Sequence, residues 1–417
     1  MKNIDKTRAP LSKAVATGVV AVSVAALTSA LFLACCSVSS DDESGSTGTA
    51  ATSATEPTSI TLEEWVHTYP AVYESFAQTY AVDGDADNEF SHWAQYSKEL
   101  LYVAQYEDGA YSYISGTCIS CKTTAFNEAY ETYGDAAYAM SMTELGISGS
   151  DYFICSTCHS DIDTLELSAS LVSFNTLVGD DVADVDAEVL VCGQCHNAVG
   201  QYGYSLDEDN SASDADPYRY GYDADGLYQA YVEDEQGSVD EATGAYLVAP
   251  SYSDFENFLQ SNHYALGVTC VDCHMASTVT DDEGTEYPDH NMSSSPLENE
   301  DALEYCLTCH EAQGVSSTEE MVEFYEQAES EFAALEDEAN AAIEELAAAL
   351  TEATSAGEEG DAIDEARDDY AKAYFFITYC NSYNHGDSYR VAHNPTGMTD
   401  LATRALELAQ EGLELLS

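Results

Sequence analysis

The sequence predicts a mostly α-helical fold with few strands and long C-terminal helices, on three observations. From Ser317 to Leu350 apolar residues recur at three-and-four spacing, the period of one helix face. No sustained apolar–polar alternation, the strand signature, runs through residues 60–310. Five C-x-x-C pairs are spread through that same stretch, between short helical segments and long loops.

Residues 1–34 read as a targeting segment. Lys2, Lys6, Arg8 and Lys13 form a basic start, and Ala14 to Ala34 is an apolar run rich in Ala and Val. The run ends in Leu33-Ala34-Cys35-Cys36, which leaves three readings open: lipidation at Cys35, simple cleavage, or an uncleaved anchor. All three export the remainder to the periplasmic or extracellular face of the cytoplasmic membrane. Residues 35–59 are small and polar, and read as a flexible linker.

Residues 60–316 hold the five motifs. They are Cys118-Ile-Ser-Cys121-Lys122, Cys155-Ser-Thr-Cys158-His159, Cys192-Gly-Gln-Cys195-His196, Cys270-Val-Asp-Cys273-His274 and Cys306-Leu-Thr-Cys309-His310. In a C-x-x-C-H run the thiols form thioethers to a haem and the next residue coordinates its iron. Zinc is the rival for repeated cysteine pairs. It explains neither the His directly after four of the pairs nor the secretory start. Five covalently bound haem c groups follow, with Lys122 as the unusual axial ligand. About residues 200–250, acidic and rich in Gly and Tyr, read as a loop insertion.

Residues 317–417 form a helical region: Ser317 to Leu350, then roughly Asp361–Tyr379 and Met398–Leu416, with a break at Gly357 and Gly360. Such helices suit packing or a dimer interface. Cys380 reads as a buried free thiol in one of them.

The chain has 11 Lys+Arg against 77 Asp+Glu. Nucleic acid is excluded as a partner, because phosphate contacts need clustered cations. A field of this sign repels anions and favours basic partners or cations; equally, it is a means of staying soluble.

A haem with two His ligands needs a second His that no motif supplies. Of the 10 His, six lie outside the motifs: His67, His92, His263, His290, His385 and His393. Four two-histidine haems are therefore supplied with two His to spare. The haem on Lys122 needs no sixth ligand, and its second side would stay open for a substrate.

Over roughly residues 60–417 the chain resembles the pentahaem, ammonia-forming cytochrome c nitrite reductases. The shared features are one C-x-x-C-K followed by four C-x-x-C-H, the stretch Glu63-Glu64-Trp65…Tyr69-Pro70…Tyr73-Glu74-Ser75, and the long C-terminal helices. The resemblance implies a multihaem cytochrome c fold and a homodimer. It assigns the second ligands as His92 for haem 3, His263 for haem 5, His290 for haem 2 and His393 for haem 4. His385, eight residues from His393, is the alternative there, and His67 is left to a helix surface.

The same resemblance implies a distal Arg, Tyr and His beside a calcium ion, and here the chain departs from it. No arginine lies between Arg8 and Arg219, and Lys98 is the nearby cation. No His lies from Asn197 to Asn262, and the matching position falls at about Ser251 or Tyr252. After the third motif, Asn197-Ala198-Val199-Gly200-Gln201-Tyr202 carries neither the Tyr nor the calcium-binding Glu in place, so Tyr202 or Tyr204 would have to serve. Leu247-Val248-Ala249-Pro250 stands where a Lys-x-Gln would complete the calcium site. Two functions are then expected in competition. One is a reductase fed by a membrane quinol-oxidising cytochrome; the other is a non-catalytic electron relay to a separate terminal reductase.

Overall fold

Three long helices at the C-terminus pack side by side and organise the computed structural model, which describes residues 62–79, 116–147, 154–200, 202, 216–292, 295–381 and 391–417. These residues belong to one unit spanning Ser59–Ser417. The targeting segment, the linker, His92, Lys98, Tyr204 and His385 lie outside the described residues.

From the N-terminal side come α1 (Leu62–Thr68), α2 (Pro70–Gln78), α3 (Gly116–Ile119), α4 (Ala125–Tyr133), α5 (Ala136–Ala139), α6 (Met142–Leu145), α7 (Val172–Val178) and α8 (Ala187–Gly193). They are short because turn residues interrupt them. Gly134 and Gly146 end α4 and α6 at φ +59° and +71°, where a side chain would be strained. Ile119, Phe126, Ala137, Tyr138, Met142 and Ile147 form a small core under the first motif.

The Gly/Tyr-rich stretch of about residues 200–250, expected as loop, carries regular structure within its described part from residue 216. It holds α9 (Ala224–Glu233), capped by Asp223 accepting from the Gly226 amide, and a short antiparallel pair, β1 (Ser238–Val239) with β2 (Tyr246–Leu247). Tertiary packing explains the difference. Leu227, Ala230 and Tyr231 lie on one buried face, and Tyr228 and Tyr231 stack on Phe375 at 5.3 and 5.8 Å. Each tyrosine brings a large apolar area that a composition-based loop assignment discounts.

Next come α10 (Asp254–Leu259), α11 (Asn262–Ala265), α12 (Cys270–His274), the hairpin β3 (Thr278–Thr280) with β4 (Glu286–Pro288), and α13 (Glu300–His310). These two hairpins are the only sheets among the described residues.

The bundle itself is α14 (Thr318–Ala356), α15 (Asp361–Asn381) and α16 (Pro395–Leu415). Ser317 caps α14 by accepting from the Glu320 amide, and Gly357 closes it at φ 72°. Pro395 opens α16 where its missing N–H costs nothing. Small residues line the contact: Ala339, Ala366, Ala373, Ala402, Ala405 and Ala409 are fully buried and let the helices approach, while Ile343, Leu346 and Leu350 fill the space. Cys380 is a buried free thiol in α15. Among the described residues no helix is long and apolar enough to cross a membrane.

Candidate functional site

Each motif is built on a helical or 3-10 turn. That geometry puts residues i, i+3 and i+4 on one side, so both thiols and the following ligand face the same way. The first motif starts on α3, where Gly116 is required: an added Cβ would lie 2.0 Å from the Ala137 carbonyl oxygen. Lys122 follows in the turn, its amide donating to the Ile119 carbonyl at 2.9 Å. The second motif is the 3-10 turn Cys155–Thr157, the third ends α8, the fourth is α12 and the fifth ends α13. The His159 and His196 amides donate to the carbonyls of Cys155 and Cys192, both at 2.9 Å. The side chain of Cys118 lies outside the described residues.

The motifs come together as a connected set. Cys195 Sγ donates to the Cys121 carbonyl at 3.0 Å, joining the third motif to the first. Cys158 lies close enough to Cys192 and Cys195 to feel their charge. Cys192 lies beside Cys270, and Cys273 neighbours Cys306. Before haem attachment, burial would push the free Cys155 thiol up to about 11 and those of Cys195 and Cys273 up to about 12. None of the described cysteines is in a disulfide. Among the described residues no three or more His, Cys, Asp or Glu converge to hold a metal ion.

Histidines distant in sequence face one another in pairs. His159 and His290 have ring centroids 6.2 Å apart, His274 and His393 6.2 Å, and His263 and His310 6.3 Å. Two imidazole–metal bonds of about 2 Å each, with about 1 Å from each nitrogen to its ring centre, span about 6 Å. Each pair combines one motif histidine with one of the non-motif histidines singled out above, so the residues fit an iron between them. His196 lies among the described residues, whereas His92, the expected second ligand there, does not. His67 is exposed on α1.

Hydrogen bonding and burial prepare these rings as ligands. The Nδ1 atoms of His159, His263 and His290 meet the carbonyls of Leu165, Ala392 and Pro288 at 3.0, 3.1 and 2.8 Å. An Nδ1–H donated to a carbonyl leaves Nε2 as the ligating atom. Burial lowers the pKa of His159, His263, His290 and His310, and brings His274 down to about 4. Neutral imidazole is the form a metal takes.

Near Lys122 the picture differs. Its ammonium is close enough to influence the Cys195 thiol. Tyr202, the aromatic candidate, is fully buried in the main core. Its hydroxyl donates to Asp234, lies 3.2 Å from the Ala230 carbonyl oxygen, and accepts from Arg219 at 3.3 Å. Arg219 also grips Asp234 through two bonds of 2.8 and 2.9 Å. The first arginine after the targeting segment is thus committed to a structural carboxylate.

Residues 251–255 lace onto the third motif: the amides of Ser251, Tyr252 and Phe255 donate to the carbonyls of Ala198, Asn197 and His196 at 2.7, 3.0 and 2.9 Å. Tyr252 lies with its ring 6.3 Å from that of His196. Two acids here escaped the sequence reading. Asp254 Oδ2 is 3.2 Å from His196 Nδ1. Glu256, fully buried, accepts from the Ala198 amide and the Tyr218 hydroxyl. Among 77 acidic residues no sequence signal distinguishes them.

Comparison with known proteins agrees with this arrangement. The chain is 25% identical over 326 residues to the cytochrome c nitrite reductase subunit NrfA of Nitratidesulfovibrio vulgaris, a match covering 72% of this chain and 60% of that protein. It is 28% identical over 216 residues to the cytochrome c-552 of Porphyromonas gingivalis, covering 49% of this chain and 40% of the relative. The chain therefore spans about half the length of these relatives. Its fold matches the cytochrome c nitrite reductase of Desulfovibrio desulfuricans, a catalytic subunit with two calcium sites, at a TM-score of 0.66 and 19% identity, covering 85% of each chain. Residues 89–417 match the cytochrome c552 family. The chain belongs to that family, the family of the cytochrome c nitrite reductases it resembles, and so carries covalently bound haem c.

Proposed function

We propose that this chain is an exported pentahaem oxidoreductase: four haems held between paired histidines pass electrons, and one held by Lys122 meets a small oxidised substrate. The observation that carries this is the set of three facing histidine pairs, at 6.2, 6.2 and 6.3 Å. His196 with His92 would make the fourth. The cysteine pairs would anchor each group, and the haem supplies single electrons at a position the protein fixes. The protein's part is orientation. Carbonyl acceptors on the Nδ1 atoms hold the rings, and buried turns keep the motifs in contact from first to third and from third to second and fourth.

Nitrite reduction to ammonium is the activity that the relatives' names carry. In this chain its usual helpers are absent: no arginine lies between Arg8 and Arg219, and no histidine from Asn197 to Asn262. Loss of one preorganised electrostatic donor costs on the order of a hundredfold in rate. Nitrite should therefore be slow, and a neutral substrate such as hydroxylamine faster. A membrane quinol-oxidising cytochrome would be the donor, and α14 to α16 the face of a homodimer. Calcium has none of its family ligands in place.

The missing helpers also favour a second reading, a non-catalytic five-haem relay to a separate terminal reductase. Electron paramagnetic resonance of the oxidised protein separates the two. A high-spin ferric signal that cyanide converts supports an open haem, and oxidation of the reduced protein by hydroxylamine or nitrite then ranks the substrates. A wholly low-spin spectrum overturns the enzyme reading.

A further inference from the structure

Two of the ligand candidates share a single carboxylate. His196 Nδ1 is 3.2 Å from Asp254 Oδ2, and His393 Nδ1 is 3.4 Å from Asp254 Oδ1. The first contact is a hydrogen bond. The second is longer than a well-formed one, yet His393 Nδ1 is buried with no other hydrogen-bond partner, and a small ring rotation closes the gap. The Asp254 side chain is only 14% exposed, so its charge is weakly screened. Its position is fixed by the backbone: the Phe255 amide, one residue on, donates to the His196 carbonyl at 2.9 Å.

The two histidines belong to different centres. His196 ends the third motif, and His393 faces His274 of the fourth. Those motifs touch through Cys192 and Cys270. His159, His263 and His290 instead turn Nδ1 toward uncharged backbone carbonyls. A carboxylate acceptor differs from a carbonyl in kind. It pulls the imidazole proton, raises the basicity of the opposite nitrogen, and so strengthens that nitrogen as a ligand to the more highly charged metal state.

We propose that Asp254 is a positioning residue shared by two neighbouring haems, orienting His196 and His393 and holding both reduction potentials below those of the carbonyl-supported centres. The inference rests on the ligand reading under Proposed function. It makes these two haems a matched pair inside the electron path.

The test is a spectroelectrochemical titration of the full holoprotein at fixed pH, comparing wild type, Asp254→Asn and Asp254→Glu. Haem content by pyridine haemochrome must match in all three. Asp254→Asn is expected to shift the oxidised-to-reduced equilibrium of two haems toward reduction by about tenfold each, the lower end of what such outer partners contribute. For a one-electron couple that is an increase of about 59 mV. The other three haems should hold their values, and Asp254→Glu should recover most of the shift. No movement of any wave, or an equal movement of all five as from a loosened fold, overturns the proposal. The ligand reading fails separately: wild type would then lack the near-infrared magnetic circular dichroism of two-histidine haem.

Discussion

The wild type should lose stability as pH rises toward 8, and replacing Glu256 by glutamine should flatten that dependence and stabilise the fold in mildly alkaline solution. The carboxyl is fully buried. The Ala198 amide lies 2.9 Å from each oxygen, and the Tyr218 hydroxyl donates to Oε1 at 2.6 Å. Burial is the largest influence and outweighs those donors, which favour the ionised form, so the carboxyl is pushed up to about 8. An unfolded glutamate titrates near ~4.3. Between those values the folded chain keeps a proton that the unfolded chain has lost, and each pH unit removes about 1.4 kcal/mol of stability. The contribution is whole below about pH 4, is lost as pH rises toward 8, and levels off once both states ionise. Across the window the loss is roughly 5 kcal/mol. Glutamine keeps an oxygen for the two donors and carries no charge, while its own N–H group, if left unpaired, costs about 1–3 kcal/mol. The assay is the urea midpoint of the holoprotein at several pH values from about 5 to about 8, at constant ionic strength. Because the net charge of −66 adds repulsion of its own, the quantity to read is the difference between variant and wild type. Parallel loss of stability in both proteins would refute the reasoning.

Other perturbations separate packing from ligation and charge. His263→Ala should turn one low-spin haem high-spin with the haem count unchanged, since His310 loses the ring facing it; an unaltered absorption spectrum would remove His263 from the ligand set. Leu346→Ala, at a fully buried site in α14, should cost about 2–5 kcal/mol in urea denaturation. Gly412→Ala should also destabilise, by about 1–3 kcal/mol, because the added Cβ would meet Leu346 Cδ2 at 2.7 Å. In the double variant the shortened side chain makes room for that Cβ, so the two costs should sum to less than their separate values. For any nitrite turnover, added salt should lower KM by screening repulsion, while hydroxylamine kinetics stay unchanged.

The long helices were legible because their periodicity is local. α14 was expected from Ser317 to Leu350 and runs from Thr318 to Ala356; the extra turn ends where Gly357 supplies a left-handed residue. Histidine pairing was legible for another reason. Supply was counted against motifs with fixed demand, and the family resemblance then named the partners that face one another in the structure. What escaped has no local signal. Leu227, Ala230 and Tyr231 form a helix face only because Phe375, far along the chain, is there to receive the aromatic rings. Asp254 looks like any other acid until residues 251–255 lie along the third motif and bring it between two imidazoles.

The scarcity of positive charge gives those placements their consequence. Among the described residues, Arg219 is bound to Asp234, Arg367 to Asp364, and Lys372 and Arg404 to the same Asp225. Lys372 and Arg404 tie α9 to α15 and α16 through Asp225, whereas the Arg367–Asp364 pair lies within α15. A guanidinium held by two bonds to Asp234 would leave that half-buried carboxylate with the Tyr202 hydroxyl but no counter-charge if it swung toward a substrate, which is unfavourable. The structural cations are therefore poor substitutes for the missing distal arginine. On the family resemblance, anion chemistry rests on positive groups, and the four described cations with carboxylate partners are committed to structural ion pairs. On the proposed reading the haem-binding frame depends instead on cysteines and neutral imidazoles, which an acidic chain can carry without opposing its own field. On the proposed reading, haem ligation makes no demand on cations whereas anion handling does, and together these favour an uncharged substrate at Lys122.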